Sequence, residues 1–239
     1  MRLKDRIALV TGASGGLGSA ISRTLAREGA QVVLAARREE PLNRLAQAIS
    51  VDGGKALAVP ADVTKEADVD KLVRRAQEEF GPIDLLVNTV GDYFSKRLLD
   101  TTPEEWDRMM GTKVRSAFLC SRAVLPGMLK LGRGDIISIA SGGGKEGQPH
   151  FTAFCASEFA LMGFTDSLAK EVEDKGIKVS VLCPMGVVDS EEARRYQSGN
   201  PDTWLDPQDF AEAVVFLASL SKRGLTTELV IRSPAPDYG

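Results

Sequence analysis

Seven short apolar runs, separated by longer stretches with a helical repeat, leave this chain few ways to fold. The runs are Ile7–Val10, Gln31–Ala35, Ala56–Val59, Ile83–Val87, Ile136–Ala140, Lys178–Leu182 and Leu229–Ile231. None approaches the length needed to span a bilayer. Between them, apolar residues recur at intervals of three and four. Leu17, Ile21 and Leu25 form one stripe, and Val69, Leu72, Val73, Ala76 and Phe80 a second. Leu161, Phe164, Leu168 and Val172 form a third, and Phe210, Val214 and Leu217 a fourth. Strand–helix alternation of this kind implies parallel strands joined by right-handed crossovers, with helices on both faces. The expected fold is one doubly wound α/β domain over residues 1–239, with about seven strands. The least regular segment, 184–206, follows the sixth strand, where ligands sit in open parallel sheets. It reads as a substrate lid or as an ordinary surface connection. Residues 233–239 read as a non-helical tail.

Composition narrows the function. With 239 residues, 43% of them hydrophobic, the chain can bury a large core without disulfide staples. The net charge is -3 and no basic tract stands out, which argues against nucleic-acid or membrane partners. Cys120, Cys155 and Cys183 lie far apart with no C-x-x-C pair, as suits a reducing compartment. The single histidine, His150, has no neighbours at metal-ligand spacing, so no metal site is expected. The N-terminus lacks the apolar core of a signal peptide. The expectation is a soluble cytoplasmic protein acting on a small molecule.

Directly after the first run comes Thr11-Gly12-Ala13-Ser14-Gly15-Gly16-Leu17-Gly18, opening the first helix. Glycines there let the backbone turn tightly and approach a pyrophosphate, whose charge the helix N-terminus favours. The strand–turn–helix context points to a Rossmann-type nucleotide site, although the same glycines would also permit close helix–sheet packing. The second run ends Ala35-Ala36-Arg37-Arg38, without the carboxylate that would bond the ribose hydroxyls of NAD. A guanidinium suits a 2′-phosphate by charge and shape, so NADP(H) is the expected dinucleotide. Two surface arginines opening an exposed helix are the plainer alternative.

The T-G-x-x-x-G-x-G pattern resembles the cofactor loop of the short-chain dehydrogenase/reductase family, and the likeness runs through most of the chain. Asp62-Val63 matches the pair that family members place beside the adenine. Asn88-Thr89-Val90-Gly91 is similar to the family's N-N-A-G, with the two middle residues changed. Ser141 falls where the family keeps a catalytic serine. Pro184 matches the proline after the sixth strand, with Met185 where glycine is usual. The resemblance implies that Gly12, Ser14, Gly16, Leu17, Gly18, Arg37, Arg38, Asp62, Val63, Asn88, Gly91, Pro184 and Val187 contact NADP. It also implies an oxidoreductase of small carbonyls or alcohols. A homotetramer or homodimer would follow, built partly from helices around 104–130 and 152–174.

The chemistry departs from that pattern. The family expects Tyr-x-x-x-Lys beginning thirteen positions after the serine; here those positions hold Phe154 and Glu158. The segment from Trp106 to Val114 resembles the helix that carries a catalytic asparagine, and Lys113 stands in its slot. Of the Asn-Ser-Tyr-Lys set only Ser141 remains. A benzyl group has no exchangeable proton, so Phe154 is not a general acid or base. Glu158, opposite in charge to lysine, would raise a neighbouring hydroxyl's pKa. Positions 154 and 158 share a helical face, which in the family fold looks toward position 113. A lone carboxylate there would be costly, so an ion pair between Lys113 and Glu158 is expected, with independent drift at a disused site as the alternative. Tyr93, in the loop after the fourth strand, and His150 are candidate substitute proton carriers. The plainer readings, Tyr93 as a loop aromatic and His150 as a surface turn residue, weigh more. Gly142-Gly143-Gly144 suggests a mobile wall beside Ser141. Three function classes follow: an atypical oxidoreductase, a catalytically silent binding protein or partner subunit, and non-redox acid–base chemistry on Lys113 and Glu158.

Overall fold

Strand β1 (Ile7–Thr11) divides the molecule: Ala8 and Val10 enter one core, and Ile7 and Leu9 the other. That is the two-residue alternation of a strand covered on both faces. The computed structural model describes residues 1–196 and 200–234; part of the expected lid, 197–199, and most of the expected tail, 235–239, lie outside the described residues. After β1 come α1 (Gly16–Arg27), β2 (Gln31–Ala36), α2 (Glu39–Val51), β3 (Lys55–Pro60), α3 (Glu66–Phe80) and β4 (Leu85–Asn88). They are followed by α4 (Pro103–Met110), α5 (Ser116–Leu131), β5 (Gly134–Ile139), α6 (Thr152–Val172) and β6 (Ile177–Met185). A short α7 (Glu191–Tyr196), α8 (Pro207–Ser219) and β7 (Glu228–Arg232) complete the fold.

The seven strands form one sheet in the order β3-β2-β1-β4-β5-β6-β7, with every pair parallel. Ile21, Leu25, Leu42 and Phe210 bring α1, α2 and α8 onto one face, while Leu72, Leu119, Val124 and Leu168 bring α3, α5 and α6 onto the other. Strand order reverses between β1 and β4, so a crevice opens there beyond the carboxyl ends of the strands. All seven expected runs are strands, with shifted ends. β6 continues to Met185, β5 begins at Gly134, and Ile83 is buried just ahead of β4 rather than in it. The segment expected to be irregular from Pro184 therefore starts later, and it contains α7 and a 3₁₀ turn at Pro201–Thr203.

Local chemistry sets the helix that carries position 113. Thr102 caps α4, accepting from the Glu105 N–H, while the Glu105 carboxylate accepts from the Thr102 N–H. Between α4 and α5 the chain makes one π turn, Gly111–Arg115, which rotates Lys113 inward and buries it. Gly132, at φ +60, then ends α5 in the left-handed conformation. At the amino ends of the central strands, away from the crevice, Arg6 bridges Asp84 (2.9 Å) and Asp135 (2.6 Å), and Lys178 reaches Asp135 at 3.1 Å. Burial raises the Asp135 carboxyl above its usual range, against the opposing pull of Arg6 and Lys178.

Candidate nucleotide and active site

The first loop is shaped by contacts that leave no room for side chains. Gly12 adopts φ +64, and a Cβ there would lie 2.6 Å from Thr89 Oγ1. A Cβ on Gly18 would lie 2.3 Å from the Gly12 carbonyl oxygen, so α1 sits flush on the end of β1. The Thr89 hydroxyl donates to the Thr11 carbonyl at 2.6 Å, and its N–H to Thr11 Oγ1 at 3.2 Å. The loops after β1 and β4 are thereby tied across the switch point. α1 has neither a side-chain cap at Gly15 nor an acidic residue in its first turn. Its leading N–H groups therefore remain available to an anion. Ser14 is half-buried and Leu17 packs on the first core. A Cβ on Gly16 would meet Ser190 Cβ at 3.0 Å, so the segment after β6 lies across this loop.

The flanking strands end nearby. Arg37 and Arg38 are exposed and have no ion-pair partner among the described residues. Asp62, after β3, accepts from the Thr64 hydroxyl (2.7 Å) and N–H (3.2 Å). Burial opposes ionisation of Asp62, but these bonds and Lys65 outweigh it and hold the carboxyl below its usual range. Val63 is buried in the second core. Asn88 is buried; its amide donates to Ser138 Oγ at 3.4 Å, and its Oδ1 has no donor among the described residues.

Beyond β4 and β5 lies the second half of the site. Lys113 Nζ stands 2.8 Å from Glu158 Oε1, with the two side chains 9% and 0% exposed. Nζ also donates to the Ile139 carbonyl at 3.4 Å, two residues before Ser141. The ion pair expected from the sequence is present. No other donor reaches the Glu158 carboxylate among the described residues. The lysine stem passes directly over Gly91, where a Cβ would be 2.7 Å from both Cε and Nζ. The Ser141 hydroxyl accepts from the Gly143 N–H at 3.2 Å. A Cβ on Gly143 would fall 2.8 Å from the Phe154 ring. The mobile wall expected at Gly142–Gly144 is instead a packed 3₁₀ turn, with Gly143 and Gly144 buried against Phe154 and Met162. Its glycines serve close packing, not motion.

Tyr93, Phe151 and Phe154 make one aromatic cluster. Ring centroids are 5.2 Å apart for Tyr93–Phe154, 5.6 Å for Tyr93–Phe151 and 6.0 Å for Phe151–Phe154. Tyr93 is 48% exposed. His150 is exposed at φ +69; its carbonyl accepts from the Lys96 N–H at 2.7 Å, and its imidazole has no partner among the described residues. Pro184 is buried within β6, while the Val187 carbonyl accepts from the Leu205 N–H at 2.8 Å. The structure thus joins Gly91, Lys113, Phe154, Glu158, Tyr93 and the Ser141 turn through direct contacts. It does not bring the His150 side chain into them. Sequence reasoning missed Phe151, Thr89 and the packing of Gly143. Phe151 was findable, lying three residues before Phe154.

Comparison with known proteins bears on this geometry. The sequence model of the short chain dehydrogenase family matches residues 6–200. An uncharacterized oxidoreductase of Staphylococcus aureus is 37% identical over 230 residues, 96% of this chain and 98% of that protein. One from Staphylococcus epidermidis is 34% identical over 231 residues, 97% and 98% of the two chains. A metagenomic short-chain oxidoreductase solved in complex with NADP superposes with a TM-score of 0.87 at 30% identity, covering 98% of this chain and 100% of its own. An alcohol dehydrogenase of the archaeon Thermococcus sibiricus, complexed with 5-hydroxy-NADP, superposes at 0.89 with 27% identity, covering 98% and 99%.

Proposed function

Because this chain belongs to the short-chain dehydrogenase family, we propose that it is a single-domain NADP(H)-dependent oxidoreductase with a rearranged proton machinery. The observation that carries the reading is the first loop: a Gly18 Cβ would stand 2.3 Å from the Gly12 carbonyl, ahead of an uncapped helix N-terminus. That cradle admits backbone and phosphate, and little else. The orphaned Asn88 Oδ1 offers an acceptor, and the unpaired Arg37 and Arg38 suit a 2′-phosphate. Gly12, Ser14, Gly16, Leu17 and Gly18 would hold the pyrophosphate side. Asp62 and Val63 would border the adenine, and Asn88, Gly91, Pro184 and Val187 the nicotinamide side. When bound, the dinucleotide supplies or takes the hydride.

The rest falls to this chain's residues. The Ser141 hydroxyl, already accepting from Gly143, has its own proton to donate to a substrate heteroatom. Phe154 fills the place of the proton carrier without carrying one. Lys113 and Glu158 neutralise each other beneath it. For a carbonyl substrate, Tyr93 is better placed than His150 to supply a proton, because its ring touches Phe154. A second reading, a catalytically silent ligand-binding or partner subunit, draws on the same pair: both charges are spent on each other rather than on a reaction.

Titration with NADPH and NADH tests the cofactor. NADPH should bind the tighter, and Arg37→Ala should weaken NADPH by about 10- to 100-fold, the range of a charged hydrogen bond, with little effect on NADH. Equal affinity for the two dinucleotides would overturn the NADP(H) assignment. The variant Lys113→Asn/Phe154→Tyr/Glu158→Lys separates the readings further. Carbonyl reduction gained by that variant, with no redox activity in the parent on any substrate, favours the silent binder.

A further inference from the structure

Reduction of a carbonyl consumes a hydride and a proton, whereas reduction of an iminium cation consumes the hydride alone. The reaction end of this site lacks a proton carrier at position 154, and its buried cation is neutralised. We propose that its substrate is a planar cationic C=N group, an iminium flanked by apolar or aromatic substituents, which is reduced to the neutral amine. This rests on the oxidoreductase reading and names its substrate class. The substrate carbon gains the C–H bond, and the C=N π pair retires to nitrogen. The reduced nicotinamide dinucleotide is the reductant, loses two electrons, and no proton moves.

Three features of the structure converge on this. The first is Phe154, held by Gly143 against its ring edge and by Tyr93 and Phe151 at 5.2 and 6.0 Å. Phe154 itself cannot protonate an alkoxide. The second is the wall that these three rings form. They stand too close together to enclose a group, and Tyr93, 48% exposed, offers an aromatic ring of the kind that attracts a cation. The third is charge. Lys113 is paired with Glu158, Arg108 with Asp92 at 2.6 Å, and Lys96 with Glu105 at 2.5 Å. Among the described residues of 91–113 and 141–158, His150 is the basic side chain without an ion-pair partner, and it is exposed. A lysine at position 158, as in the usual family pattern, would place a positive charge beneath the ring at 154; the glutamate, paired with Lys113, removes that repulsion.

Two bicyclic probes of matching shape test the proposal: the 2-methyl-3,4-dihydroisoquinolinium cation and neutral 1-tetralone. Calorimetry on the cofactor-free protein should show the cation binding at least about tenfold tighter, within the span of cation–π contacts. Phe154→Leu and, separately, Phe151→Leu should weaken the cation by about two- to thirtyfold while changing tetralone affinity less. With NADPH, the cation should be reduced with no solvent deuterium isotope effect on single-turnover hydride transfer. Lys113→Asn/Phe154→Tyr/Glu158→Lys should shift preference toward the ketone. Tetralone binding as tightly as the cation, or being reduced in preference to it, overturns the substrate class and leaves the oxidoreductase reading standing. Reduction of neither probe, nor of any carbonyl or imine tried, while NADPH binds, overturns both.

Discussion

Glu158 is fully buried and its carboxylate has one cation, Lys113, 2.8 Å away. Such a pair adds little net stability, because desolvating two charges offsets most of their attraction, yet breaking it strands an ion in the interior. Glu158→Gln or Lys113→Met should therefore each cost about 3–5 kcal/mol in urea unfolding, whereas Lys113→Met/Glu158→Leu should recover most of that loss. Equal losses for the single and double variants would mean that the pair is not coupled. Gly18 poses the steric counterpart. Ala at position 18 would press its methyl onto a backbone carbonyl that has nowhere to go. Gly18→Ala should cost about 1–3 kcal/mol and abolish dinucleotide binding, read by unfolding and by NADPH fluorescence. At this scale the sequence was legible wherever a spacing carried the message. Phe154 and Glu158 stand out by counting from Ser141, and the glycines by their place after a strand. Thr89 carries no such spacing, since a hydroxyl becomes part of a site only through its neighbours, whereas Phe151, three residues before Phe154, could have been found.

Helix α1 ends in a clasp. Glu28 at its C-terminus accepts from both the Arg2 N–H (2.7 Å) and its guanidinium (2.8 Å), and Arg2 also reaches Glu212 of α8. Hydrogen bonds from Arg2 draw the Glu28 carboxyl down to about 2. A carboxyl depressed on folding adds stability above its unfolded pKa of about 4.5 and loses it as pH falls toward the folded value. The stability difference between the parent and Glu28→Gln should thus be constant above about pH 5 and shrink toward zero near pH 2. A difference independent of pH would place the effect in packing. Because the pair is largely solvent-exposed, the difference should be small. Element types were readable from period alone, since a face that must be buried imposes its repeat on the sequence. Element ends were less so. β6 runs on through Pro184, which gives up a ladder donor but still pairs in register with Ile231 of the edge strand β7. The π turn at Gly111–Arg115 had no sequence cue, because it depends on how α4 and α5 settle against α6.

Across the whole molecule, large apolar side chains collect where the family resemblance placed a subunit contact. Trp106, Phe118, Leu129 and Leu131 of α4 and α5, and Phe159 of α6, are between 38% and 48% exposed. Exposed large apolar side chains on these helices point to an interaction surface, and a second copy of this chain is the expected occupant. Light scattering should report a dimer or tetramer, and Phe118→Glu/Phe159→Glu should shift it to a smaller species with its secondary structure intact. A monomeric parent would remove this surface from consideration. By itself the sequence determined the parallel sheet, the glycine-rich turn after β1 and the phenylalanine and glutamate at positions 154 and 158, because each is written in local period or spacing. Only the tertiary structure decided that Lys113 meets Glu158, that three rings pack together, and that Arg6 and Lys178 hold Asp84 and Asp135 at the amino ends of the central strands. Those contacts join residues far apart in the chain, and strand order and helix rotation, not local sequence, set which of them face one another.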